Sequence, residues 1–203
     1  MGNLTVLTGG YSARYEYFGA EEDFKRGLKY VQAAVVLLDE AGGHRQASCS
    51  NNFSKLYHTH FDRTGSPDSL NKAVSFGERS VNQCPIDDPT RGAQLRGVGD
   101  AYRDRFKLNG VPEDLTRSIK AYEEALASTL APTSIRARAG ISGGRLVFDT
   151  DPVKAYGMLP TNFGTIDYRL WEFCTDRRGT PHLQKFQLLS ILCVATYDFL
   201  SVS

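Results

Sequence analysis

The sequence predicts an all-α chain in which antiparallel helical hairpins stack into a short α-solenoid. Two observations support this prediction. Apolar residues recur at the three- to four-residue spacing of an α-helix, and several residue types recur at intervals of 46 and then 45 residues. A single hairpin cannot bury its own apolar face, so neighbouring hairpins are expected to complete the core.

Five series of residues keep the same period along the chain. They are Tyr11, Tyr57 and Tyr102; Gly19, Gly65 and Gly110; Tyr15, Phe61 and Phe106; Phe24, Leu70 and Leu115; and Leu28, Val74 and Ile119. Five coincident series are hard to attribute to chance. The sequence therefore divides into repeats at about 1–46, 47–91 and 92–135, with a partial fourth repeat at 136–160.

Each repeat is expected to contain two helices. On the first helix three apolar residues share one face, as in Leu7-Tyr11-Tyr15, Phe53-Tyr57-Phe61 and Val98-Tyr102-Phe106. A glycine such as Gly65 then ends the helix in a left-handed conformation, and a proline such as Pro67 starts the next helix. The second helix of the fourth repeat is predicted to be short, because only residues 153–159 separate Pro152 from Pro160.

Small residues seven positions apart mark the second helix of each repeat. The pairs are Gly27 and Ala34, Ala73 and Ser80, and Ser118 and Ala125. Small side chains at these positions let the two helices of a hairpin approach closely. A large residue at either position would push the hairpin apart.

These positions resemble the tetratricopeptide (TPR) family, whose first helix carries a glycine three residues before a tyrosine. Gly99 and Tyr102 match that pair, Ser118 and Ala125 match the small residues of the second helix, and Pro132 approximately matches the closing proline. The resemblance implies a TPR-like superhelix. A HEAT or armadillo array, with a period of about 40–47 residues, is the competing structural interpretation.

A closer resemblance is to the long-period TPR arrays of fungal proteins that end in a caspase-like CHAT peptidase domain. The matching stretches are Val98–Phe106, then Gly110, then Glu113–Ile119 and then Glu123–Leu126, and the resemblance covers about residues 1–160. Residues 161–203 do not match the family. They are interpreted either as a helix that caps the last hairpin or as sequence from a truncated or mis-spliced gene.

The composition argues against several functional classes. The chain has 24 Lys and Arg against 23 Asp and Glu, and without a basic stripe we expect no nucleic-acid partner. The apolar run 188–200 is too short to span a bilayer and contains Asp198, so no membrane partner is expected. Four scattered cysteines suit a reducing cytoplasm.

No catalytic, metal or cofactor site is expected. Cys174 and His182 are a conceivable nucleophile and base, but no third group is available to orient them. His58 and His60 project from different faces of a helix, which predicts surface histidines rather than metal ligands. The segment Gly140–Arg145 lacks the Lys-Ser/Thr of a phosphate-binding loop.

The resemblance instead predicts a non-catalytic scaffold that binds a partner peptide or helix in a concave groove. In TPR-like arrays the groove residues lie on the first helix, away from the Gly/Tyr face. The repeat-equivalent positions here are Asn51, Lys55 and His58, then Arg96, Asp100 and Arg103, then Arg145. Such a row is expected to pair with carboxylates of the partner.

Two further expectations concern the assembly. The alternative function is a sensor or regulatory fragment of a caspase-like CHAT peptidase system that lacks its catalytic domain. An uncapped terminal repeat exposes apolar surface, which favours a homodimer through the open end of the stack.

Overall fold

The computed structural model describes residues 2–38 and 44–159, and these residues form helices without any strand. The helices are α1 (Gly2–Phe18), α2 (Glu21–Leu38), α3 (His44–Thr64), α4 (Pro67–Gln83), α5 (Arg91–Asn109), α6 (Pro112–Ala127), α7 (Thr133–Val147) and α8 (Pro152–Gly157). The predicted all-α class is therefore confirmed. Cys174, His182 and the rest of the predicted C-terminal segment lie outside the described residues.

Glycines end the first helix of three hairpins in the left-handed conformation. The φ angles of Gly19, Gly65 and Gly110 are 70°, 68° and 69°. Each glycine N–H bonds the carbonyl oxygen four residues earlier, at 2.7–2.9 Å. A residue with a Cβ is strained at this φ, so the glycine period predicted from the sequence is confirmed.

Helices α3 and α4 pair antiparallel through small residues. The Ser54 hydroxyl donates to the carbonyl of Ala73 at 2.7 Å, and the Ser80 hydroxyl donates to the carbonyl of Ala47 at 2.9 Å. The later of the two α3 residues, Ser54, thus meets the earlier of the two α4 residues, Ala73, as in an antiparallel pair. Neither Ala73 nor Ser80 has exposed surface, as expected for positions where two backbones approach closely.

Helices α5 and α6 repeat this arrangement. The Ser118 hydroxyl donates to the carbonyl of Gly99 at 2.8 Å, and both Ser118 and Ala125 are fully buried. The predicted small-residue contact is thus confirmed in both hairpins. In the first hairpin a Cβ on Gly27 would lie 3.7 Å from the Cβ of Tyr11 in α1 and 2.9 Å from Leu56 of α3, while the side chain of Ala34 lies outside the described residues.

The first helices of successive hairpins also pack side by side. Helix α1 contacts α3, α3 contacts α5, and α5 contacts α7, while each second helix contacts the first helix of the next hairpin. Phe53 and Val98 are buried in this packing, but Leu7 is 39% exposed. The helices of the repeat equivalents, α3 and α5, also contact helices of the preceding hairpin, whereas among the described helices α1 packs against α2 and α3, which lie later in the chain.

The last hairpin is incomplete, as the sequence predicts. Helix α8 has six residues. Gly140 and Gly143 of α7 lie directly against Met158, and a Cβ on Gly140 would collide with the Met158 carbonyl oxygen. The segment Gly140–Arg145 lies within α7, so it is helical and forms no phosphate-binding loop.

Candidate functional site

Four of the seven predicted groove residues meet in one cluster between α3 and α5. We call it the polar cluster. It consists of His58 and Asp62 from α3; Arg96, Asp100, Arg103 and Asp104 from α5; and Tyr122 from α6. Spacings of three and four residues place the α5 members on one helical face. Side-by-side packing of α3 and α5 then brings His58 against that face.

His58 links the two first helices through an ion pair with Asp104. The distance from His58 Nε2 to Asp104 Oδ2 is 3.0 Å, and both side chains are largely buried. Burial acts to lower the pKa of His58. The hydrogen bond to Asp104 and the charges of Asp62, Asp104 and Asp100 outweigh burial, so the pKa lies above its ordinary value. The surroundings of His58 therefore stabilise its protonated, donating form relative to that of a solvent-exposed imidazole.

Arg103 is held by two carboxylates of its own helix. Its Nε and Nη2 each donate to Asp104 at 2.9 Å, and its Nη1 donates to Asp100 at 3.0 Å. Burial acts to raise the pKa of Asp104, but the hydrogen bonds from His58 and Arg103 outweigh it and hold that pKa well below its usual range. Asp104 is therefore a charged acceptor at neutral pH.

Asp100 joins the remaining members of the cluster. It accepts hydrogen bonds from Arg96 Nη1 at 2.8 Å and from the Tyr122 hydroxyl at 2.6 Å. Burial, followed by the negative charge of Asp100, raises the pKa of Tyr122 far above its usual range. Tyr122 is fully buried, so it fixes the position of Asp100 from within the apolar core.

The other three predicted residues have different surroundings. Lys55 is exposed and pairs with Glu16 of α1 at 2.9 Å. Asn51 is half-buried on α3, near Gly97 of α5, and Arg145 is exposed on α7. Lys55 links two first helices, α1 and α3, as His58 links α3 and α5. An exposed ion pair such as that of Lys55 contributes little stability.

The histidine prediction is wrong in one respect. His58 and His60 do project in different directions, but both are half-buried rather than at the surface. His60 Nδ1 lies 2.8 Å from the Ser69 hydroxyl, and its ring stacks on Phe24 with 4.0 Å between centroids. Neighbouring hairpins cover both rings, which helical periodicity within one helix could not reveal.

Sequence reasoning missed three members of the cluster: Asp62, Asp104 and Tyr122. Asp62 follows His58 by four residues, a spacing that places both on one face and was available as a signal. Asp104 lies in the segment Arg103–Arg105, whose nearly balanced charges are typical of a solvated helix face when one helix is considered alone. Tyr122 lies in the repeat pattern as a core residue, and only its hydroxyl reaches the cluster.

The cluster does not fit a metal ion. His58, Asp62 and Asp104 place three potential ligand atoms within 4.8 Å of one another. However, the Arg103 guanidinium already occupies both oxygens of Asp104, and Lys107 lies 3.5 Å from it. Both cations therefore already contact the Asp104 carboxylate that a metal ion would need as a ligand.

A cavity of about 540 Å³ opens beside the cluster, lined by Phe61, Asp62, Gly65, Arg103, Asp104, Lys107 and Leu108.

Comparison of the chain with protein-family models, curated proteins and solved structures returns no match. Among residues 2–38 and 44–159, no helix has both the length and the apolar character needed to cross a membrane. The geometry of the polar cluster is therefore the basis of the functional proposal.

Proposed function

We propose that the chain is a short TPR-like α-solenoid that serves as a non-catalytic protein-interaction scaffold. Its first helices would form a concave surface that binds a partner peptide or helix. Direct packing of α1 with α3, α3 with α5 and α5 with α7 supports this proposal. Within the described part of the chain, no comparable packing joins α2 with α4 or α4 with α6. Closer spacing on one side of a stack curves it toward that side.

The single observation that supports binding is the state of Arg96. Its Nη1 donates to Asp100, but its buried Nε has no hydrogen-bond partner among the described residues. A buried donor without an acceptor costs about 1–3 kcal/mol. The Arg96 side chain is 30% exposed, so rotation of its guanidinium would present Nε to a carboxylate of a bound segment, which would supply the acceptor through a charge-assisted hydrogen bond.

The rest of the cluster prepares this surface for binding. Asp100 and Asp104 hold Arg103 and His58 in place before a partner arrives, which reduces the side-chain entropy lost on binding. The same pairing neutralises most of the cationic row. We therefore expect the partner to present one well-placed carboxylate beside Arg96 rather than a run of acidic residues.

Quantitative capture of partners by the full chain tests the proposal. Arg96→Glu replaces the guanidinium donor with a carboxylate, which repels the carboxylate of the partner. Capture of an acidic partner should therefore fall about tenfold or more. Lys29→Glu is the matched control, because it makes the same charge change on an exposed position of α2. Circular dichroism establishes that both variants are folded. Equal capture by the two variants would show that Arg96 does not contact the partner.

A further inference from the structure

Two hairpins contain a stacked aromatic pair that the third hairpin lacks. The pairs are Tyr11 with Tyr30, whose ring centroids are 5.5 Å apart, and Tyr57 with Phe76, whose centroids are 5.8 Å apart. The repeat equivalent of Phe76, 45 residues later, is Ala121. Tyr102 is the equivalent tyrosine and shares a core cluster with Ala121. The third hairpin thus has the tyrosine without a ring to stack on it.

A cavity of about 520 Å³ opens at this place, between α4 and α6. Val98, Tyr102 and Ala121 are among the residues that line it, and we call these three the aromatic slot. In the preceding hairpin, the equivalents of Val98 and Tyr102 are Phe53 and Tyr57, and both rings contact Phe76. The cavity therefore lies where the missing ring would lie.

The rim of the slot carries both charges, but its cations reach further into solvent. Arg117 pairs with Glu78 at 3.2 Å, and Lys120 pairs with Glu124 at 4.0 Å. The side chains of Arg117 and Lys120 are 58% and 77% exposed, against 41% for Glu78 and 46% for Glu124. The slot is thus suited to an aromatic side chain with acidic neighbours.

The chain itself displays an aromatic pair of this kind. Tyr17 and Phe18 end helix α1 and are 81% and 68% exposed, with an edge-to-face contact at 4.8 Å between centroids. Exposed acidic residues follow at Glu21 and Glu22, and Glu22 pairs with Arg26 of its own helix at 3.1 Å. Two adjacent exposed aromatic rings are typical of an interaction site rather than of ordinary surface.

We propose that a second copy of this chain inserts Tyr17 and Phe18 into the aromatic slot. Glu21 of the inserted segment then faces Arg117 and Lys120 on the rim. The two surfaces lie on different hairpins, so the contact is heterologous and continues head to tail from copy to copy. This contact uses the groove between second helices and is independent of the polar cluster on the first helices.

Complementation between two variants of the full chain tests the contact. Tyr17→Ser with Phe18→Ser removes the inserted rings but keeps the slot. Ala121→Phe fills the slot but keeps the inserted rings. In sedimentation velocity, the wild type should associate with rising concentration, each variant alone should stay monomeric, and their equimolar mixture should form a 1:1 dimer. A mixture that stays monomeric, or a wild type that stays monomeric at about 1 mM, overturns the proposal.

A charge variant keeps the test valid if Ala121→Phe does not fold. Lys120→Glu changes an exposed rim residue and should weaken association about tenfold, while Lys29→Glu makes the same charge change at an exposed position of α2 outside the rim of the slot. The effect of Lys120→Glu should shrink as salt is added, since the charges involved are exposed. Equal association of these two variants overturns the proposal.

Discussion

Replacing Asp104 with asparagine is the sharpest test of the polar cluster. The substitution keeps the shape of the side chain but removes the charge that holds two cations. Oδ2 of Asp104 accepts from His58 Nε2 at 3.0 Å and from Arg103 Nη2 at 2.9 Å, and Oδ1 accepts from Arg103 Nε at 2.9 Å. Asparagine retains one acceptor oxygen, so at least one of these three hydrogen bonds must be lost.

The size of the effect follows from these contacts. A hydrogen bond to a charged group contributes about 1.5–3 kcal/mol, and the cations left behind lose their counter-charge in a largely buried place. We therefore expect Asp104→Asn to lower the free energy of unfolding by about 2–4 kcal/mol. The matched control is Glu124→Gln, which removes one member of an exposed pair with Lys120 and should cost at most about 1 kcal/mol.

The pH dependence has a definite sign for each partner. The folded-state pKa of His58 is raised, so its stabilisation is fully present below its unfolded pKa of about 6.5 and is lost as pH rises through the folded value. The folded-state pKa of Asp104 is lowered, so its stabilisation is present above about pH 4 and is lost as pH falls through the folded value. The loss in Asp104→Asn should therefore be largest from about pH 4 to 6.5. It should shrink in more alkaline buffer, because Arg103 keeps its charge there and His58 does not.

Urea unfolding across this pH range measures the free energies, and the ring-proton signals of His58 measure its titration directly. Because the chain has four histidines, the signal lost in His58→Gln assigns His58, and the signal lost in His60→Gln assigns the histidine that bonds the Ser69 hydroxyl instead. In Asp104→Asn the titration of His58 should move to lower pH. A titration curve that does not move, or a stability loss that is the same at every pH, would refute the proposed ion pair.

Three further predictions concern packing and can be checked by thermal and urea unfolding. Ala125→Trp should cost about 3 kcal/mol or more, because Ala125 is fully buried between α5 and α6; a wild-type melting temperature would contradict that contact. Gly110→Ala should cost about 1 kcal/mol because its φ is 69°, whereas Gly10→Ala, inside α1 with open space around its Cβ, should stabilise by about 0.5–1 kcal/mol; effects of equal sign would contradict this. Gly140→Ala should cost about 1–3 kcal/mol and speed hydrogen exchange in α8, since its Cβ meets the Met158 carbonyl; unchanged exchange there would refute the contact.

Features that depend on local rules were predictable from the sequence. Gly65 and Gly110 end helices in the left-handed conformation because glycine alone adopts it without strain, and Pro67 and Pro112 start the next helices. Small residues at fixed spacing predicted the close approach within the hairpins, as Ser118 shows. Each of these inferences needs only one hairpin.

The polar cluster could be predicted only in part, because it depends on contact between hairpins. Four members were chosen as first-helix positions away from the tyrosine face, without any indication that they would pair with one another. Asp104 lies between two arginines and looks solvated within its own helix. Only the packing of α3 against α5 places it 3.0 Å from His58. Within one repeat, nothing distinguishes that aspartate from an ordinary surface charge.

Comparison of equivalent positions separates residues that build the fold from residues that distinguish one hairpin. A polar pair spans the turn of each of three hairpins at equivalent positions. The pairs are Arg14 with Asp23 at 3.4 Å, His60 with Ser69 at 2.8 Å, and Arg105 with Asp114 at 2.6 Å. Since the position is used in every turn while its chemistry varies, these pairs stabilise the hairpin itself.

Two positions break this pattern. The equivalents of His58 are Ser12 in the first repeat and Arg103 in the third, so the ion pair of His58 with Asp104 belongs to one junction alone. Ala121 likewise replaces a ring that two other hairpins contain. Both proposals therefore rest on positions where a single junction departs from the repeat, the polar cluster on His58 and the aromatic slot on Ala121.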